Sequence, residues 1–173
     1  MNLRGRLISF LTTFDSAECI DDLQMTAEQK AAKKADFFFN KREVVCELKT
    51  INADPFHKIE KEVLVLQERE EWPIVLGTRS LSSILRRSPD ETEIKRRMNL
   101  TVTNLVEESI RDANNQIRST KTSFNLPDSE GLLIFLNDRV HILRPQLLAY
   151  RIGNALTKLN NQKQPRFPFL NAV

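Results

Sequence analysis

At 173 residues, with 40% hydrophobic residues, 28% charged residues and a formal net charge of +3, the chain can bury a core without disulfides or a structural metal, and its composition is neither disordered nor membrane-like. Its longest apolar runs, such as LLIFL at 132–136, fall far short of the roughly 20 residues a membrane-spanning helix needs, so a single domain with a cytoplasmic location and no membrane association is expected. Two cysteines without C-x-x-C spacing fit reduced thiols better than a disulfide framework.

At the N-terminus, basic residues precede a short apolar stretch broken by Ser9, Thr12 and Thr13, which argues against a signal peptide. Leu7, Phe10, Leu11 and Phe14 fall at helical spacing and predict a short amphipathic helix around residues 3–14. A second helical pattern runs from about Ser16 to Lys34, with a capping box at Thr26 and Gln29 that marks a break or restart near 26. ADFFFNKREVVCELKTI at 35–51 then reads as two strands joined by Asn40, Lys41 and Arg42, a hairpin.

Helical periodicity resumes from Asp54 to about Glu71, with Pro55 suited to a first turn. Residues 72–98 give a mixed signal and read as a helical, basic insertion. From Asn99 to Lys121 the positions Val102, Val106, Ile110, Ala113 and Ile117 predict an amphipathic helix. GLLIFLN at 131–137 is apolar on both alternating faces, the mark of a central covered strand, and VHIL at 140–143 is a candidate neighbour. Pro145 opens a last helix using Leu148, Ile152, Ala155 and Leu159, and an irregular tail begins near 161.

Charge is unevenly placed. From Arg139 to the end lie Arg139, Arg144, Arg151, Lys158, Lys163 and Arg166 with no acid, whereas Glu60, Glu62, Glu68, Glu70 and Glu71 crowd an earlier stretch. Clustered cations permit a phosphate-facing surface without demanding one.

The hairpin carries the chemistry. In VVCELKTI side chains alternate, so Val45, Glu47 and Lys49 share one face, and the turn brings Asp36 alongside them. A charge within an apolar strand costs free energy unless it is paired or bound to a metal. The plain alternative is a cross-strand ion pair of Asp36 or Glu47 with Lys49. Asp36, ten intervening residues and then Glu47-Leu48-Lys49 resemble the hallmark of the PD-(D/E)xK nuclease superfamily, although Ala35 stands where that pattern has proline. The E-x-K triplet also occurs at Glu28 and Glu93, but in polar segments.

The resemblance implies an α/β fold with a restriction-endonuclease-like core, in which a helix, a β-meander or hairpin, a helix and a strand follow in order, with extra helices. It further implies Mg²⁺ (or Mn²⁺) held by Asp36, Glu47 and the backbone carbonyl of Leu48, with Lys49 positioning or deprotonating the attacking water. Such hard oxygen donors suit Mg²⁺ and leave room for phosphate and nucleophile. Family members often add an acid from the helix before the hairpin, where Glu18, Asp21 and Asp22 are candidates and Asp22 ranks first. They also often add a polar residue from a later helix, where Gln116 lies on the rim of the apolar stripe.

Other chemistries lack support. His57 and His141 have no zinc-ligand spacing, and the four glycines form no phosphate-binding loop. The expectation is a metal-dependent nuclease acting on nucleic acid, DNA before RNA, with a homodimer as an open option. The alternatives are a catalytically inactive nuclease-fold subunit that binds nucleic acid or assembles with protein, and an interaction module whose hairpin charges are structural.

Overall fold

The computed structural model describes residues 2–51, 91–138 and 143–173, together with Lys61, Val65 and Glu68. The chain divides into two compact units, Met1–Ala53 with Val106–Val173, and Asp54–Leu105. The expected helix at 54–71, the 72–90 part of the basic insertion and most of the VHIL strand lie outside the described residues.

The first unit is built on a four-stranded mixed sheet in the order β1 (Ala17–Cys19), β2 (Phe37–Phe39), β3 (Val44–Ile51), β4 (Glu130–Asn137). Its first three strands pair antiparallel, with Phe37 opposite Cys46 and Phe38 opposite Val45. The β2–β3 turn places Asn40, Lys41 and Arg42 at φ 48°, 54° and 72°, a left-handed run without glycine. It is held by Glu43 N–H to the Asn40 carbonyl (3.1 Å) and by the Arg42 guanidinium, which bonds Glu18 at 2.8 Å and lies over the Phe38 ring.

Strand β4 runs parallel to β3, with Glu47 opposite Leu133 and Lys49 opposite Phe135, so the chain must cross over between them. The crossover includes α3 (Glu91–Ser123). The other described helices are α1 (Leu3–Leu11), capped by the Asn2 side chain, α2 (Ala27–Ala31) and α4 (Pro145–Leu156).

Strand alternation divides the core. Phe38 and Val45 face Ile117 of α3 together with Ile20 and Ala35. Phe37, Cys46 and Leu48 face Leu11 of α1, with Leu7 and Ile8 packed against them. The sheet is therefore sandwiched, with α1 on one face and the C-terminal half of α3 on the other. Glu47 and Lys49, in phase with Val45, fall on the α3 side.

Four expectations are corrected. The stretch before the expected restart at 26 is not an α-helix: β1 and a 3₁₀ turn at Ile20–Asp22 stand there, while the restart forms at the Thr26–Gln29 capping box as the five-residue α2. Apolar Ile20 and Leu23 at helical spacing instead plug the core beside β1. The first helix ends at Leu11, leaving Phe10 and Phe14 exposed, and α3 starts at Glu91, eight residues before Asn99. Within the second unit, Glu93 ion pairs with Arg96 and Arg97 at 2.8 and 3.0 Å in these added turns.

Finally, among the described residues β4 is the outermost strand of the sheet and not a central one. Its apolar outer side is covered by the tail, where Asn171 and Ala172 N–H reach the Gly131 carbonyl at 2.8 and 3.2 Å and Leu133 N–H reaches the Ala172 carbonyl at 3.0 Å. A Cβ at Gly131 would lie 1.8 Å from the Phe169 carbonyl oxygen and 3.1 Å from Ile117 Cγ2. Gly131→Ala is therefore expected to lose about 2 kcal/mol in urea unfolding, and a variant as stable as the parent would show that the tail is not seated there in solution.

Candidate functional site

Just before β2 begins, Asp36 extends its hydrogen bonding to β3. The Asp36 N–H donates to the Cys46 carbonyl (3.0 Å), and its Oδ2 accepts from Leu48 N–H at 2.7 Å. The side chain thus continues the ladder one step past the strand, and its carboxylate is fixed beside the Leu48 peptide. The residues leading into it are clamped by α3: Thr120 Oγ1 accepts from Ala35 N–H (2.8 Å), and Gln116 Nε2 donates to the Lys34 carbonyl (2.9 Å).

Gln116 has a second task. Its Oε1 accepts a hydrogen bond from Lys49 Nζ, which also ion pairs with Glu47 Oε1 at 3.0 Å. The amide therefore ties the lysine of β3 to the segment that carries Asp36. Lys49 pairs along its own strand, and the cross-strand Asp36–Lys49 pair is not formed.

Asp36 is instead neutralised by a residue that the sequence did not single out. From α1, Arg4 sends Nη2 to Asp36 Oδ1 and Nη1 to the Leu48 carbonyl oxygen, both at 2.5 Å. A planar guanidinium thus bridges a carboxylate and a backbone carbonyl. A single arginine near the start of an amphipathic helix carries no pattern that would announce this, whereas Thr120, one turn after Gln116 on the same helix, could be found from that spacing.

Glu47 is 3% exposed. Burial, and secondarily the Asp36 carboxylate, push its carboxyl up to about 7 from an ordinary 4.5, against the opposing pull of Lys49 and Arg4. Its Oε2 is buried with no hydrogen-bond partner, an arrangement that costs about 1–3 kcal/mol unless something else reaches it. Asp36 and Lys49 retain about one-fifth exposure of their side chains, so the cluster opens to solvent on their side. Burial likewise raises the Cys46 thiol to about 12, which makes it an inert core group.

The remaining candidates lie apart. Asp22 is exposed in the 3₁₀ turn, where it neighbours the Cys19 thiol, and no described hydrogen bond or ion pair joins it to Glu47 or Lys49. Glu18 is engaged with Arg42. In the basic C-terminal segment, Lys158 and Arg166 both bind Glu107 of α3, Arg166 at 2.9 Å, and Lys158 first holds that carboxyl below the usual range. Open cavities of about 720 and 410 Å³ lie beside Lys158, Asn160 and Arg166 and beside Arg111, Arg118 and Phe169, neither touching the hairpin cluster.

Among the described residues no three His, Cys, Asp or Glu side chains gather, so a cation here would draw on two carboxylates and the Leu48 carbonyl. These donors fit a hard divalent ion: all are oxygens, two already face a positive group, and the third, Glu47 Oε2, has none. No described helix is long and apolar enough to cross a membrane. No family model, curated protein or solved structure matches the chain.

Proposed function

We propose that this protein is a divalent-metal-dependent nuclease of the PD-(D/E)xK type that hydrolyses phosphodiester bonds of nucleic acid, DNA in the first instance, and that its sheet is a restriction-endonuclease-like core. The observation that supports this reading is the buried Glu47 carboxylate, whose Oε2 has no hydrogen-bond partner and whose Oε1 pairs with Lys49, on the strand whose Leu48 peptide is bonded by Asp36.

Asp36, Glu47 and the Leu48 carbonyl would hold Mg²⁺ or Mn²⁺. When bound, the ion offsets charge on the phosphoryl oxygens and lowers the pKa of water. Lys49, aimed by its bonds to Glu47 and Gln116, presents an ammonium donor where negative charge develops or a proton must move. Gln116 keeps that ammonium from swinging to Asp36, and Thr120 and Gln116 together fix the approach of the Asp36 backbone. Burial of Glu47 keeps this carboxylate away from competing solvent.

A second reading draws on Arg4. Its guanidinium already pairs with Asp36 and donates to the Leu48 carbonyl, as a built-in cation would in a catalytically inactive subunit that binds nucleic acid or assembles with protein. The two readings separate in one assay: duplex DNA incubated with the protein and Mg²⁺ or Mn²⁺ is expected to be cut, and EDTA is expected to stop the cutting. Salt-sensitive DNA binding without cleavage of DNA or RNA under either metal would favour the inactive subunit.

A further inference from the structure

We infer that Arg4 is a resident counter-cation of the metal cradle, so that a divalent ion enters by exchange against the Arg4 guanidinium; this rests on the nuclease reading above. Three observations carry it.

The first is position. Arg4 bonds Asp36 Oδ1 and the Leu48 carbonyl, two of the three oxygens that would ligate the ion, and a guanidinium and a metal cannot hold both sites at once. The second is fit. The guanidinium is a planar fork with fixed donor directions, and in its bound position it leaves the third oxygen, Glu47 Oε2, buried without a partner. An ion that gathers ligands around a centre serves all three acceptors, so the exchange relieves a polar atom that Arg4 leaves orphaned.

The third is the ease of release. The Arg4 side chain is about one-third exposed and sits in the first turn of α1, whose core anchors lie further along at Leu7, Ile8 and Leu11. Rotating the side chain into solvent therefore leaves the apolar docking of α1 intact. Charge supports the same direction. With Arg4 in place, Asp36 and Glu47 are balanced by Arg4 and Lys49; with a divalent ion in its stead, the cradle gains one positive charge, as suits an anionic phosphodiester. The displaced guanidinium then stands at the solvent side of the site.

The test is Mn²⁺ binding followed by electron paramagnetic resonance on the intact chain, comparing the parent with Arg4→Met and Arg4→Lys, each checked for cooperative thermal unfolding. Removing the competitor is expected to tighten Mn²⁺ about tenfold in Arg4→Met, with Arg4→Lys, which keeps charge but loses the fork, falling between. Hydrogen exchange supplies a second readout: in the parent alone, Mn²⁺ should speed amide exchange in Leu3–Leu11, because the tie from α1 to β3 is cut. Equal or weaker Mn²⁺ binding in Arg4→Met, with normal binding in the parent, would overturn the exchange and leave the nuclease reading intact. Mn²⁺ bound by Arg4→Met alone would also overturn it for the native chain, in favour of the inactive subunit. No Mn²⁺ on any of the three proteins would sink the nuclease reading itself.

Discussion

Glu47→Gln is expected to make the metal-free protein more stable at pH 8 by about 3 kcal/mol, while lowering divalent-dependent phosphodiester hydrolysis by about 10²–10³-fold. Both effects come from one buried carboxyl raised from 4.5 to about 7, first by burial and then by Asp36. Between those two pH values the folded protein holds a proton that the unfolded chain has released. The stability this group contributes is thus complete below pH 4.5 and is lost as pH rises through about 7. Glutamine is nearly isosteric and never ionises, so it removes that loss and with it the ligand. Urea unfolding at pH 5 and pH 8 reads the effect: the parent should lose stability relative to the variant across this interval. Parallel profiles for the two proteins would show that Glu47 is solvated, and with it the basis for a cation cradle would go.

Asp36 separates structure from chemistry in a different way. Its Oδ2 accepts the Leu48 N–H and its Oδ1 the Arg4 guanidinium. In Asp36→Ala the Leu48 N–H loses its acceptor, at a cost of about 2 kcal/mol. In Asp36→Asn the side-chain carbonyl still serves that N–H, and stability should stay within about 1 kcal/mol of the parent. Both variants lose the negative charge, so both should lose Mn²⁺ binding and hydrolysis. Chemical denaturation beside a cleavage assay would distinguish them, and full activity in Asp36→Asn would rule out this carboxylate as a ligand. Either change should also lower the Glu47 carboxyl, because a neighbouring negative charge has been removed.

The hairpin was legible because its signal is local. Alternation over VVCELKTI and the polar Asn40–Arg42 turn fix which residues share a face, and the structure places Asp36, Glu47, Lys49 and the helix-rim Gln116 in one neighbourhood. Residues 16–34 misled for an equally physical reason. Strand β1 is three residues long, too short to display a period of two, and Ile20 and Leu23 imitate helical spacing while packing under a turn. The outermost place of β4 among the described strands was hidden because its apolar outer side is covered by a tail with no periodicity of its own. Arg4 was out of reach because its role depends on where α1 docks, a long-range fact that no spacing near residue 4 encodes.

The seating of Asn171 and Ala172 on β4 bears on how copies of this molecule treat one another. An uncovered strand margin presents a row of N–H and C=O groups that can recruit a strand from another chain. Here the last residues act as a stopper over Gly131–Leu133. Shortening the chain by Phe169–Val173 would bare that margin, and the expected outcome is self-association that grows with concentration.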